Sequence, residues 1–170
     1  MSLARSERIR NFGPPIPLQA QNVHCIHFDD QMSGYLVDNN SFVDSWVGVM
    51  LGGGRSTTIT HNRFEKITHA AIEFDNRGET WQKPYCDPEQ ADTFKHSFYS
   101  VLKRDKVEQP PWSVEYPYLQ RIAQDSPCVP VHNNMSYNSY CECGIWITAK
   151  AQQIAEWESA AVGNVNRSAC

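Results

Sequence analysis

The chain lacks a long hydrophobic run. Nothing in its 170 residues approaches the roughly 18 to 20 apolar residues that cross a bilayer as a helix. The opening segment MSLARSERIRNFGPPIPLQA contains no apolar stretch of the signal-peptide kind. There is no block of lysine and arginine either. With a net charge of −4, this argues against nucleic acid or an anionic membrane as the main partner. Zinc-type CxxC spacing is also absent among Cys25, Cys86, Cys128, Cys141, Cys143 and Cys170. What remains is 41% hydrophobic and 20% charged, the balance of a globular domain large enough to bury one core.

Within that composition the order of residue types repeats. IHFDDQMSGYLVDNNSF begins at Ile26, VMLGGGRSTTITHNRF at Val49 and IEFDNRG at Ile72, an interval of 23. Phe28, Leu51 and Phe74 keep that interval, while Val37 with Ile59, Asn40 with Asn62 and Phe42 with Phe64 are spaced by 22. Downstream, Val131, Asn134, Ile145 and Ile147 read as the resumption. A period of about 20 to 25 residues with short alternating strands and polar corners marks a solenoid. The leucine framework of leucine-rich repeats is missing. The expectation is therefore an all-β, parallel β-helix of about four coils, with Asn40, Asn62 and Asn134 stacked as an inward ladder.

The stretch DNNSFVDSWVGVMLGGGRSTTITHNRFEKITHAAIEFDNRGETWQ resembles the pectin-lyase-like right-handed β-helix proteins of bacteria and lower eukaryotes. The resemblance covers roughly residues 22 to 82 and 108 to 148. It implies a carbohydrate-active protein outside the cell or on its surface. Polysaccharide lyases, glycosidases, epimerases and non-catalytic binders all belong to that superfamily, so the reaction stays open. Such domains usually stack more coils than four. The chain thus reads as a fragment with open ends, completed by further coils or another chain.

Residues 79 to 128 interrupt the repeat. They carry Pro117 where a short helix could start, and Cys86 and Cys128 near their ends, where a disulfide would tie the base. Aromatic side chains crowd the segment, either as its own small core or as stacking surfaces for sugar rings. The tail from 149 to 161 has strong helix formers and would either cap the last coil or trail from it. Asn39, Asn134 and Asn166 each head an N-x-S sequon.

Strand alternation turns the repeat into a surface. With residues 26/28, 49/51, 72/74 and 145/147 inward, one outward column holds His27, Met50, Glu73 and Trp146. The next holds Asp29, Gly52, Asp75 and Thr148, followed at the corner by Asp30, Gly53, Asn76 and Ala149, then by Gln31, Gly54, Arg77 and Lys150. Gly52 to Gly54 would clear a floor for a sugar between acidic coils. Asp29, Glu73 and Asp75 are the candidate acid, base or nucleophile. Backbones two coils apart lie about 9 to 10 Å from each other, near the roughly 6.5 to 9.5 Å carboxyl separation of an inverting glycosidase. His27, Asp30, Asn76, Arg77 and Lys150 would contact substrate, and Trp81 or Trp146 would supply a stacking platform. A lyase would use His27, Arg77 or Lys150 as base, with Ca²⁺ on Asp29, Asp75 and Asn76 to neutralise a uronate; otherwise no cofactor is called for. A binding module would use the same groups only to hold glycan. Glycoside hydrolysis is preferred because carboxylates outnumber bases on this face.

Overall fold

A computed structural model describes residues 22–149, 161–168 and 170. It divides into two compact units, the second running from Arg77 to Val129 and the first comprising the rest. The first unit holds the strands β1 (His24–Phe28), β2 (Leu36–Asp38), β3 (Ser41–Gly52), β4 (Thr58–Thr60), β5 (Arg63–Asp75), β6 (Asn134–Ser136), β7 (Ser139–Cys141), β8 (Ile145–Ala149) and β9 (Val165–Asn166).

All pairings given for these strands are parallel. One sheet runs β1-β3-β5-β7-β9, with β8 also on β5, and a second runs β2-β4-β6. The 23-residue interval is the register of the larger sheet: Ile26 faces Val49, and Val49 faces Ile72. The 22-residue interval is the register of the smaller sheet, Val37 against Ile59, and of Phe42 against Phe64. Apolar side chains at these positions bury a common core of Phe28, Val37, Phe42, Val49, Leu51, Ile59, Phe64, Ile72, Phe74 and Met135. Each such fully buried side chain contributes roughly 1.5 to 3 kcal/mol by leaving water.

Turns between strands are built on stacked left-handed residues. Asn39, His61, Tyr137 and Gly163 have φ of 57°, 53°, 58° and 71°, and each immediately precedes an asparagine. Those asparagines form a ladder: Asn62 Oδ1 accepts from the Asn40 backbone N–H at 2.9 Å, Asn138 Oδ1 from that of Asn62 at 2.9 Å, and Asn164 Oδ1 from that of Asn138 at 2.8 Å. The expected third rung, Asn134, is exposed on β6. Asn138 takes its place because Met135, not Val131, sits opposite Ile59. Likewise Ile147 rather than Ile145 lies opposite Ile72, and Ile145 is exposed.

The all-β, right-handed β-helix expected from the repeat and the resemblance is overturned. Strands make up 35% and helices 22%. The strands form two separate parallel sheets of six and three strands, an α/β-like mix in which no closed solenoid is found. The reason is physical: a repeated register specifies which strands pair, but it specifies neither closure nor the conformation of the segment without the repeat.

That segment is the second unit, and it is helical. It contains α1 (Phe98–Asp105), α2 (Trp112–Glu115) and 3-10 segments at Arg77–Glu79, Lys83–Cys86, Pro88–Gln90 and Pro117–Gln124. Ser97 caps α1 by accepting from the Ser100 N–H at 3.3 Å. Pro117 starts its 3-10 segment as its fixed φ suits. The aromatics meet each other, Tyr85 with Phe94 at 4.8 Å and Trp112 with Tyr116 at 6.1 Å between ring centroids. Cys86 and Cys128 are joined, as their positions suggested, and a second disulfide links Cys141 to Cys170. Two disulfides point to an oxidising environment. No helix among the described residues is long and apolar enough to cross a membrane. The expected helical cap falls at 149–161, almost wholly outside the described residues.

Candidate functional site

Side chains that carry chemistry gather on β1, β3 and β5 of the first unit. His27, Met50 and Glu73 occupy one register row across these strands. The row continues to Thr148, not Trp146. Trp146 packs against the core, with its ring stacked 4.3 Å from Tyr140 and edge-on to Phe64 at 5.6 Å. Its place in the outward column is thus corrected by the two-residue offset of β8.

Glu73 is the unusual member of the row. The residue is 7% exposed, its Oε2 has no hydrogen-bond partner, and its closest ion-pairing group is His69 Nε2 at 3.9 Å. A buried carboxylate oxygen without a donor costs on the order of 1 to 3 kcal/mol or more. His69 is four residues earlier on the same strand and so shares the face. Its ring stacks on Trp46 at 4.5 Å and 11°, and Trp46 stacks in turn on His24 at 5.6 Å and 17°. Three flat rings therefore lie in a row across three neighbouring strands. A register shift between Ser45 and Val47 places them there, because β5 carries one more residue than β3 at that point.

His24 closes the cluster. Its Nδ1 lies 3.1 Å from Nδ1 of His27, while its Nε2 is buried without a partner. Burial holds its pKa below the ordinary imidazole range; His27 and His69 push the same way and the Glu73 charge opposes them. His27 Nε2 is 3.6 Å from Asp29 Oδ1, and Asp29 Oδ1 also accepts from the Asp30 N–H at 3.0 Å. Neither His24, Trp46 nor His69 was among the residues expected from the sequence. The signal was there, since they are spaced by 22 and 23.

The remaining expected residues scatter. Asp29 and Asp30 are exposed just beyond β1, and Asp75, at the end of β5, pairs in register with Gly52 and is half-buried. Asn76 is 4% exposed. Arg77 and Trp81 belong to the second unit, where the buried Arg77 guanidinium sits 5.3 Å over the Trp81 ring. A guanidinium so placed is used within its own unit. Lys150 lies outside the described residues. Gly52, Gly53 and Gly54 are buried rather than an open floor. Gly53 has φ 81°, and a Cβ on Gly54 would strike the Met32 carbonyl, so packing accounts for them.

Two other places bring polar groups together. Glu65, Cys141 and Cys170 bring three donor atoms within 4.8 Å, but the two sulfurs are bonded to each other. A groove of about 470 Å³ follows the asparagine turns, lined by Asn39, His61, Arg63, Tyr137 and Arg167; none of the residues expected from the sequence borders it. The free thiols of Cys25 and Cys143 are pushed up by burial, which makes them poor nucleophiles.

No family model, curated protein or solved structure matches the chain. The site therefore rests on its own geometry.

Proposed function

We propose that the chain acts on carbohydrate, cleaving a glycosidic bond by acid–base chemistry centred on Glu73. The observation that carries this reading is the buried Glu73 carboxylate, with one oxygen unbonded beside His69. Folding gains nothing from such an oxygen, whereas a proton-transfer group needs one. In this reading Glu73 exchanges the proton with the glycosidic oxygen and His69 restores it. Asp29 and Asp75 are the candidates for the second carboxylate. They flank Gly52 at the ends of β1 and β5, on either side of β3. The disulfides suit work in an oxidising, extracellular setting.

A second reading, β-elimination on a uronate-containing glycan, is favoured by the imidazoles of His24, His27 and His69 on the strands that carry Glu73 and its neighbours. Each is a base able to take the proton next to a carboxylate. One assay separates the readings. The protein is incubated with a panel of neutral and uronate polysaccharides and read for reducing ends and for absorbance of an unsaturated uronate. Reducing ends alone support hydrolysis, and both signals support elimination. Sugar retained without either signal means a binding module, and no activity and no retention removes the carbohydrate reading.

A further inference from the structure

We propose that His24 and His27 form a binding site for a divalent transition-metal ion of the Zn²⁺ class, held between their two Nδ1 atoms. The bite is right. Two imidazole nitrogens each about 2.0 to 2.1 Å from a tetrahedral ion stand about 3.3 Å apart, and these two stand 3.1 Å apart. The outer nitrogen of His27 is placed as metal-bound histidines usually have it. An imidazole that binds through one nitrogen commonly gives the N–H of the other to a carboxylate, which fixes ring and tautomer. His27 Nε2 faces Asp29 Oδ1 at 3.6 Å. His24 lies in the field of Glu73.

Two further atoms point the same way. His24 Nε2 and Glu73 Oε2 are both buried without a hydrogen-bond partner, and both belong to this cluster. An ion on His24 Nδ1 places the ring proton on Nε2, on a side chain that feels the Glu73 charge. The site then has two protein nitrogens, with water at the remaining positions. Imidazole donors favour Zn²⁺, Ni²⁺ or Cu²⁺ over Ca²⁺ or Mg²⁺. The alternative is a plain hydrogen bond in which His24 Nδ1–H donates to His27 Nδ1.

The test uses the whole chain with both disulfides intact. Zn²⁺ alone is titrated by calorimetry, and Co²⁺ by visible absorption, whose bands report nitrogen ligands. One equivalent is expected to bind. His27→Ala and His24→Ala should each weaken it by about tenfold or more, Asp29→Asn by less, and His61→Ala not at all. His27 is exposed, so His27→Ala decides the matter even if His24→Ala fails to fold. Affinity should fall as the solution is acidified, because protons compete with the ion for the ring nitrogens. Absence of saturable uptake, or uptake unchanged in His27→Ala, leaves only the hydrogen bond and overturns the proposal. Metal uptake is read without any glycan, so the outcome is independent of whether the chain cleaves one.

Discussion

Removing the middle rung of the asparagine ladder should cost more than any other single polar substitution in the first unit. Asn62 is 2% exposed. Its Oδ1 accepts from the Asn40 N–H at 2.9 Å and from Asn40 Nδ2 at 3.1 Å. Its Nδ2 approaches Val37 O at 2.9 Å, Thr60 O at 2.8 Å and Asn138 Oδ1 at 3.0 Å. Asn62→Ala leaves at least one buried N–H and one buried carbonyl without a partner. Each orphan costs about 1 to 3 kcal/mol, so a loss of about 3 to 5 kcal/mol is expected. That is a large share of the roughly 5 to 15 kcal/mol that holds a domain folded. Asn62→Asp keeps the acceptor and loses the donor, and it brings a buried charge, so it should be no better than alanine. Asn39→Gly, at an exposed left-handed residue, should be neutral or slightly stabilising. Urea unfolding of the oxidised protein, followed by far-ultraviolet circular dichroism, gives all three values. A loss below about 1 kcal/mol for Asn62→Ala would refute the idea that the ladder holds the turns.

Four further outcomes follow from the same geometry. Glu73→Gln should abolish any glycan cleavage while leaving the melting temperature equal or higher, since an unbonded buried carboxylate is being neutralised; a parallel fall in both would mark Glu73 as structural. Gly48→Ala should destabilise by about 1 to 3 kcal/mol, because the added Cβ meets Ala71 O at 2.5 Å and the Phe64 ring at 2.6 Å; an unchanged urea midpoint contradicts this. Opening the Cys86–Cys128 loop, with its separation of 42 residues, by a double Cys→Ser change should cost the second unit about 4 kcal/mol, visible as protease cleavage within residues 77–129. The lowered pKa of His24 means the unfolded chain takes up a proton there before the folded one does. Its contribution to stability is present above pH about 6.5 and lost as pH falls through the folded value. His24→Phe should therefore flatten the fall in melting temperature between pH 7 and 5, and an identical profile would dismiss His24 as its source.

Much of the strand pairing was legible because apolar residues at a constant interval face each other across parallel strands. Ile26, Val49 and Ile72 are the clearest case. The fourth row was misplaced because Ile145 and Ile147 both fit an alternating pattern, and only packing chooses between them. Asn134 drew attention for a similar reason: three asparagines, Asn133, Asn134 and Asn138, fall close together, and nothing in the spacing alone ranks them. The sheet arrangement itself was not legible, since closure depends on turns and on a 50-residue segment that lacks the repeat. For the site, Glu73 was found by alternation. Its companions His69 and Trp46 were missed because strict alternation breaks at the register shift after Ser45.

The ladder has one more property, which concerns how such a chain can grow. Each rung asks only that the next asparagine arrive with its amide in the right orientation, and it is indifferent to the path taken. Asn40 and Asn62 are 22 residues apart, whereas Asn62 and Asn138 are 76 apart, yet both steps use the same 2.9 Å bond. Lengthening a connection costs little, about 0.6 kcal/mol for each doubling of a flexible loop. A whole second unit has been accommodated between two rungs without altering either. Seen this way, the junctions between rungs are natural splice points, where foreign sequence can enter while the row of amides keeps a single direction from Asn40 to Asn164.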